Sequence, residues 1–169
     1  YLRPLLRRRD LATRILLDAS GSTADASRGA RVLDIELHAA TILGQGLAML
    51  GDRFAVCSFS SNGRERCDFH VYKDFDALWN ATTRERLLRA WPGNSTRIGP
   101  ALRHAGWMLS RSDARQRLLL LITDGKPMDS GYDPHTGYAQ ADVRLACEEN
   151  RRLGVVTFAI STEENSDAD

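Results

Sequence analysis

Three short stretches place oxygen donors where a cation could be held. In "ILLDASGST", residues 15–23, an apolar run ends at Asp18 and hydroxyls follow at every second position, Ser20 and Ser22. Thr96 in "STRIGPAL" stands just before a helical pattern, and Asp124 ends the run "LLLLIT". Two carboxylates and three hydroxyls are hard oxygen donors, the set that octahedral Mg²⁺ takes while keeping part of its water; Mn²⁺ or Ca²⁺ would accept the same donors.

The mixture has a chemical consequence. If neutral hydroxyls bind directly and the aspartates act partly through water, a bound dication stays electrophilic and seeks an anion from outside. A carboxylate on a second protein would complete the shell, so the chemistry on offer is adhesion. The competing reading has Asp18 capping a turn or helix while Ser20 and Ser22 satisfy backbone donors.

These donors need elements that bring them together. "ATRILLDAS" reads as a short buried strand, and from Arg31 to Gly51 the spacing turns helical, with Leu33, Leu37, Leu43, Leu47 and Leu50 on one face and Gly51 as the stop. "DRFAVCSFS" is a second strand. "CDFHVYK" alternates like an antiparallel edge strand, joined to it through Asn62-Gly63. A helix is predicted from Thr83, with Thr82 and Glu85 at capping-box spacing, and another runs through Trp107 to about Leu109. Trp91, ahead of Pro92-Gly93, is expected to pack under the Thr96 loop.

"RLLLLITDG" is the most apolar strand candidate; a helix over about Ala139–Leu153, closed by Gly154, leads to a last strand, "VVTFAIS". Strands alternating with helices imply right-handed crossovers and a doubly wound, mostly parallel α/β sheet. Ligands bind at the carboxyl ends of the strands in such sheets, which is where all five donors fall. Residues 1–12, with Arg7 to Arg9, read as a basic linker or docking arm, and 13–169 as the domain.

Composition narrows the function classes. The 169 residues suit one domain, and 23 Lys plus Arg against 22 Asp plus Glu leave a formal charge of +1. That near-balance gives no argument for nucleic acid or an anionic membrane. No run is long enough for a membrane span, and no signal peptide is visible. Cys57, Cys67 and Cys147 lack CxxC spacing, so reduced thiols in a cytoplasmic setting are expected, with a Cys57–Cys67 disulfide as the alternative.

Enzymatic readings find little support. A haloacid-dehalogenase-type phosphatase would carry a second Asp where Ser20 stands. There is no GxSxG elbow, Walker A sequence or GxGxxG, and His38, His70, His104 and His135 are scattered without metal-ligand pairing. A metal-dependent phosphate-transfer enzyme remains the alternative from another class.

Around the donors, Arg97 could assist an incoming carboxylate or face solvent. Lys126, Asp129, Tyr132, Asp133 and His135 form either a client-binding rim or a solvated loop, and Lys126 could lower affinity for a second cation.

On Asp18, Ser20, Ser22, Thr96 and Asp124 the chain resembles the von Willebrand factor A domain. "GDRFAVCSFSS" also looks like that family's second-strand region. The resemblance implies a Rossmann-like fold and assigns those five residues to the metal-ion-dependent adhesion site. It also implies a further helix and edge strand after the region ending at "STEENSDAD". The segment "TDGKP" resembles the bacterial NorD and CbbO group as a whole, and the continuation "YAQADVRLACEEN…TFAISTEEN" looks closer to CbbO than to NorD. That narrower resemblance implies a non-catalytic adaptor on a MoxR-type AAA+ ATPase hexamer, CbbQ in the CbbO case. It would grip Rubisco through an acidic side chain while ATP-driven remodelling frees inhibitory sugar phosphates, in the bacterial cytosol or a carboxysome. A NorD-type adaptor would instead assist maturation of nitric oxide reductase.

Overall fold

A computed structural model describes residues 10–24, 26–27, 30–125, 128–132 and 137–162. Its elements run β1 (Leu11–Asp18), a 3₁₀ turn (Gly21–Ala24), β2 (Ala26–Ser27), β3 (Ala30–Arg31), α1 (Val32–Leu50), β4 (Arg53–Ser61), β5 (Cys67–Lys73), α2 (Ala81–Leu88), α3 (Ile98–Ser110), β6 (Gln116–Thr123), α4 (Tyr138–Arg152) and β7 (Val156–Ser161). β2 and β3 pair only with each other; the main sheet has the order β5-β4-β1-β6-β7. All its pairs are parallel except β4–β5. This is the expected mostly parallel sheet with one antiparallel edge.

Alternation along β1 divides the core. Ala12 and Leu16 face α3 and α4, with Leu102, Ala105 and Ala146. Ile15 and Leu17 face α1 and α2, with Leu33, Leu37 and Leu87. β1 lies between β4 and β6, so both faces are covered and its apolar run is continuous, as a central parallel strand requires. Asp18 falls at the first position where that strand emerges between its neighbours.

The remaining elements follow local rules, with three departures. α1 stops where expected: Gly51 adopts φ 71° and its N–H reaches the Ala48 carbonyl. Leu50, however, is exposed and does not share the buried face. α2 starts at Ala81, capped by Asn80, whose Oδ1 accepts from the Thr83 N–H at 3.0 Å. The capping-box reading on Thr82 and Glu85 is thus out of register: Asn80 is the cap, and the Thr83 hydroxyl lies within hydrogen-bond distance of both the Leu78 carbonyl and Asn80 Oδ1. The β4–β5 connection closes through Asn62 N–H to the Arg66 carbonyl, a five-residue loop with Gly63 at φ 71°. Trp91 does not pack under the Thr96 loop; it is 76% exposed, with the Arg31 guanidinium 5.1 Å above its ring.

β1 begins at Leu11, inside the stretch read as the arm, and Asp10 ties that start to β6 by accepting the Gln116 N–H. Residues 1–9 lie outside the described residues. Cys57, Cys67 and Cys147 are free thiols. No helix among the described residues is long and apolar enough to cross a membrane.

Candidate metal site

Asp18 ends β1 fully buried, and both its oxygens are held. Oδ1 accepts from the Ser20 N–H at 3.0 Å and Oδ2 from the Thr123 hydroxyl at 2.8 Å. Beyond Asp18 the chain tightens into the 3₁₀ turn, where the Thr23 hydroxyl donates to the Ser20 carbonyl at 2.6 Å. That turn points the Ser20 and Ser22 hydroxyls the same way, 3.1 Å apart.

The second segment is sewn to the first by main chain. Gly93 N–H donates to the Ala19 carbonyl at 2.6 Å, and Gly21 N–H donates to the Asn94 carbonyl at 2.7 Å. Ser95 exchanges both its backbone bonds with Ser61 at the end of β4. Thr96, 1% exposed, therefore arrives beside the 3₁₀ turn, and Ser22 and Thr96 line one cleft of ≈ 570 Å³. The third segment is Asp124, buried immediately after β6.

Electrostatics identify what this edge lacks. Burial raises the Asp18 carboxyl to about 6; hydrogen bonds from Ser20 and Thr123 oppose the rise and the charge of Asp124 adds to it. Glu36, fully buried on α1, is pushed to about 9 by burial, then by the charges of Asp18 and Asp124. Asp18 and Glu36 thus share a dry region in which their ionised forms are unfavourable without a compensating cation. Among the described residues no three His, Cys, Asp or Glu side chains form a metal cage of their own. The donors that fit Mg²⁺ here are two aspartates supplemented by hydroxyls. Asp18, Ser20, Ser22, Thr96 and Asp124 are the residues that would hold it.

The surrounding loop departs from an exposed rim. Arg97 is buried, and its Nε donates to Asp129 Oδ2 at 3.0 Å, so it neither faces solvent nor reaches outward. Its guanidinium also donates to the Ser130 carbonyl and stacks 4.9 Å over the Tyr132 ring. Asp129 is further bound by the Ser61 hydroxyl at 2.7 Å and the Gly63 N–H at 3.0 Å. Burial alone would raise its carboxyl, but the bonds from Ser61, Ser130, Gly63 and Arg97 outweigh it and hold it below the usual carboxylate range. Tyr132 is fully buried, donating to Asp142 at 2.7 Å and accepting the Gly99 N–H at 3.2 Å. Arg97, Asp129 and Tyr132 therefore form the inner clasp of the loop. The side chains exposed on this stretch are Met128 and Ser130. Lys126, Asp133 and His135 lie outside the described residues.

Two contributors, Thr123 and Glu36, were not singled out in the sequence. Glu36 could have been found: it follows Leu33 by three residues and precedes Leu37, on the buried stripe of α1.

A mostly parallel, doubly wound α/β sheet with oxygen donors from three segments at its carboxyl edge defines the class of the molecule, a Rossmann-like α/β domain. The chain belongs to the von Willebrand factor type A domain family, which residues 13–126 match. It is 39% identical over 160 residues to Protein NorD of Brucella suis, covering 94% of this chain and 25% of that protein. It is 39% identical over 158 residues to Protein NorD of Stutzerimonas stutzeri, covering 92% and 26%. An uncharacterized protein of Pseudomonas aeruginosa is 39% identical over 168 residues, covering 98% and 27%. The chain thus spans about a quarter of the length of these relatives. Two of these three are named NorD, and the expected closeness to CbbO finds no support among them.

Solved structures agree on the fold. An aerotolerance-related membrane protein from Bacteroides fragilis superposes with a TM-score of 0.65 at 17% identity, over 94% of this chain and 75% of that one. The SpRpn10 VWA domain superposes at 0.64 and 13% identity, over 92% and 76%.

Proposed function

We propose that this domain is a non-catalytic, metal-dependent binding module of a NorD-type adaptor, which holds a client protein for a AAA+ ATPase partner. The client in this reading is nitric oxide reductase during its maturation. The observation that carries the binding role is the oriented hydroxyl pair Ser20–Ser22 beside a buried, doubly held Asp18. The relatives named NorD favour nitric oxide reductase over Rubisco as the client.

Each residue has a distinct task in this mechanism. Ser20, Ser22 and Thr96 present neutral oxygens, and Asp18 and Asp124 supply charge from behind. The Ser20 N–H and Thr123 hydroxyl fix the Asp18 carboxylate so that it does not rotate into the client's place. The Arg97–Asp129 clasp holds the wall of the cleft against Thr96, whose N–H donates to the Met128 carbonyl at 2.9 Å. A bound Mg²⁺ would offer an open coordination position to an acidic side chain of the client.

The deciding experiment is complementation with the full-length protein. Wild type, Asp18→Ala and Ser20→Ala are expressed in a strain lacking it, and nitric oxide reductase activity is assayed. The proposal expects wild type to restore activity and both folded variants to fail, with reductase captured by wild type in Mg²⁺ and released by EDTA. ATP-dependent reactivation of inhibitor-blocked Rubisco would replace the client. Release of phosphate from small substrates by the purified protein would replace the adaptor with an enzyme.

A further inference from the structure

Arg14 stands in the middle of β1, 1% exposed, and its Nε has no hydrogen-bond partner among the described residues. Its other contacts are long: Nη1 lies 4.0 Å from Cys57 Sγ, and Nη2 lies 3.6 Å from a carboxylate oxygen of Asp74. The Asp74 side chain is itself 61% exposed, and the same Oδ1 accepts the Phe75 N–H at 2.9 Å, so it is a distant and shared partner for Arg14. A buried guanidinium ordinarily fills its planar fork of five donors, because a half-paired charge out of water is costly. In a central strand, any aliphatic residue would have packed better at this position.

Arg14 lines a cleft of ≈ 290 Å³ at the end of the sheet opposite the metal edge, where β4 begins and α3 ends. Arg53 and Arg111 line it too, and both are held by aromatic faces. The Arg53 and Arg14 guanidiniums lie 5.8 and 5.3 Å from the Phe75 ring centroid, and that of Arg111 lies 5.2 Å from Trp107. A cation–π contact uses no acceptor oxygen, so it leaves guanidinium N–H donors for a ligand. Among the described residues neither Arg53 nor Arg111 has a carboxylate within ion-pair distance. Asp74, Asp76 and Asp113 match the arginines in number, so bulk charge does not select an anion here. The selective element is the fixed, dry fork of Arg14, which Asp74 meets only at 3.6 Å.

We propose that this cleft binds a carboxylate carried on a planar apolar group. The carboxylate displaces Asp74 to pair with Arg14, and the apolar part lies against Phe75 and the half-exposed Trp107. The site uses no residue of the metal edge and stands or falls independently of the adaptor reading.

The test follows the arginine Nε–H resonances of the ¹⁵N-labelled full chain, in EDTA, with benzoate, acetate or inorganic phosphate added. Benzoate is expected to shift Arg14 Nε–H saturably, with acetate and phosphate about tenfold weaker for want of the apolar contact and the planar fit. Asp74→Asn, a surface change, should tighten benzoate about fivefold by removing the competitor, and Arg111→Ala should weaken it. A shift that fails to saturate, is shared equally by exposed arginines, or is indifferent to Asp74→Asn overturns the site. Phosphate binding as tightly as benzoate overturns the ligand class.

Discussion

Thr123 reaches across the β1–β6 pair to donate its hydroxyl to Asp18 Oδ2 at 2.8 Å, one step beyond the last register pair, Leu17 with Ile122. The same oxygen of Thr123 accepts the Gly125 N–H at 3.1 Å. One side chain thus fixes the Asp18 carboxylate and the turn that follows Asp124. Thr123→Val keeps the branched shape but removes both bonds. It should cost about 1 kcal/mol of stability, read by urea unfolding. It should also weaken Mg²⁺ binding about fivefold by calorimetry, because Asp18 gains rotational freedom. Unchanged affinity in a folded variant would mean that Asp18 needs no orienting partner.

The seam between residues 19–21 and 93–95 predicts a second effect. A Cβ on Gly21 would stand 2.5 Å from the Asn94 carbonyl oxygen, which already accepts the Gly21 N–H. Gly21→Ala must therefore push the loop outward and carry Thr96 away from Ser22. We expect about a tenfold loss of Mg²⁺ affinity, with the fold retained. Gly46→Ala is the control: nothing lies within 4 Å of the added carbon, so helix stability should rise by about 0.5–1 kcal/mol with metal affinity unchanged.

What could be read in the sequence divides along physical lines. Ile15, Leu16 and Leu17 announce a strand buried on both faces, and Gly51 announces a helix stop, because both depend on neighbours in the chain. The clustering of Asp18, Ser20 and Ser22 was legible as a local period of two. The loop clasp was not: Arg97 and Asp129 are 32 residues apart, and only tertiary placement turns an exposed-looking pair into a buried one. Trp91 failed for the opposite reason, since a large aromatic suggests burial but here caps Arg31 on the surface.

The Arg97–Asp129 pair is nearly dry, with side chains 6% and 2% exposed, so the two single variants should differ sharply. Arg97→Ala leaves a buried carboxylate with three neutral donors and should cost about 3 kcal/mol. Asp129→Asn keeps a shape that accepts from Ser61 or Gly63 and should cost less. Urea unfolding of both variants and of the double mutant measures the coupling. Additive losses would show that the pair is not a unit.

Glu36 predicts a pH dependence of the metal-free chain. Its carboxyl is buried; Oε1 accepts from the Thr162 hydroxyl at 3.2 Å and Oε2 has no partner among the described residues. Burial, reinforced by the charges of Asp18 and Asp124, keeps it protonated up to about pH 9, whereas the unfolded chain releases that proton near 4.5. Between those values the folded state holds one proton more than the unfolded state, so stability falls as pH rises, by at most ~1.4 kcal/mol per pH unit. Below the window both states are protonated and above it both are ionised, and the slope vanishes. Asp18 acts in the same direction, but only up to about 6. Unfolding in EDTA between about pH 6.5 and 8.5 therefore isolates Glu36. Glu36→Gln, which cannot ionise, should flatten the slope and exceed wild type in stability at the alkaline end. If the variant retains the wild-type slope, Glu36 is already ionised in the folded chain and another group carries the titration.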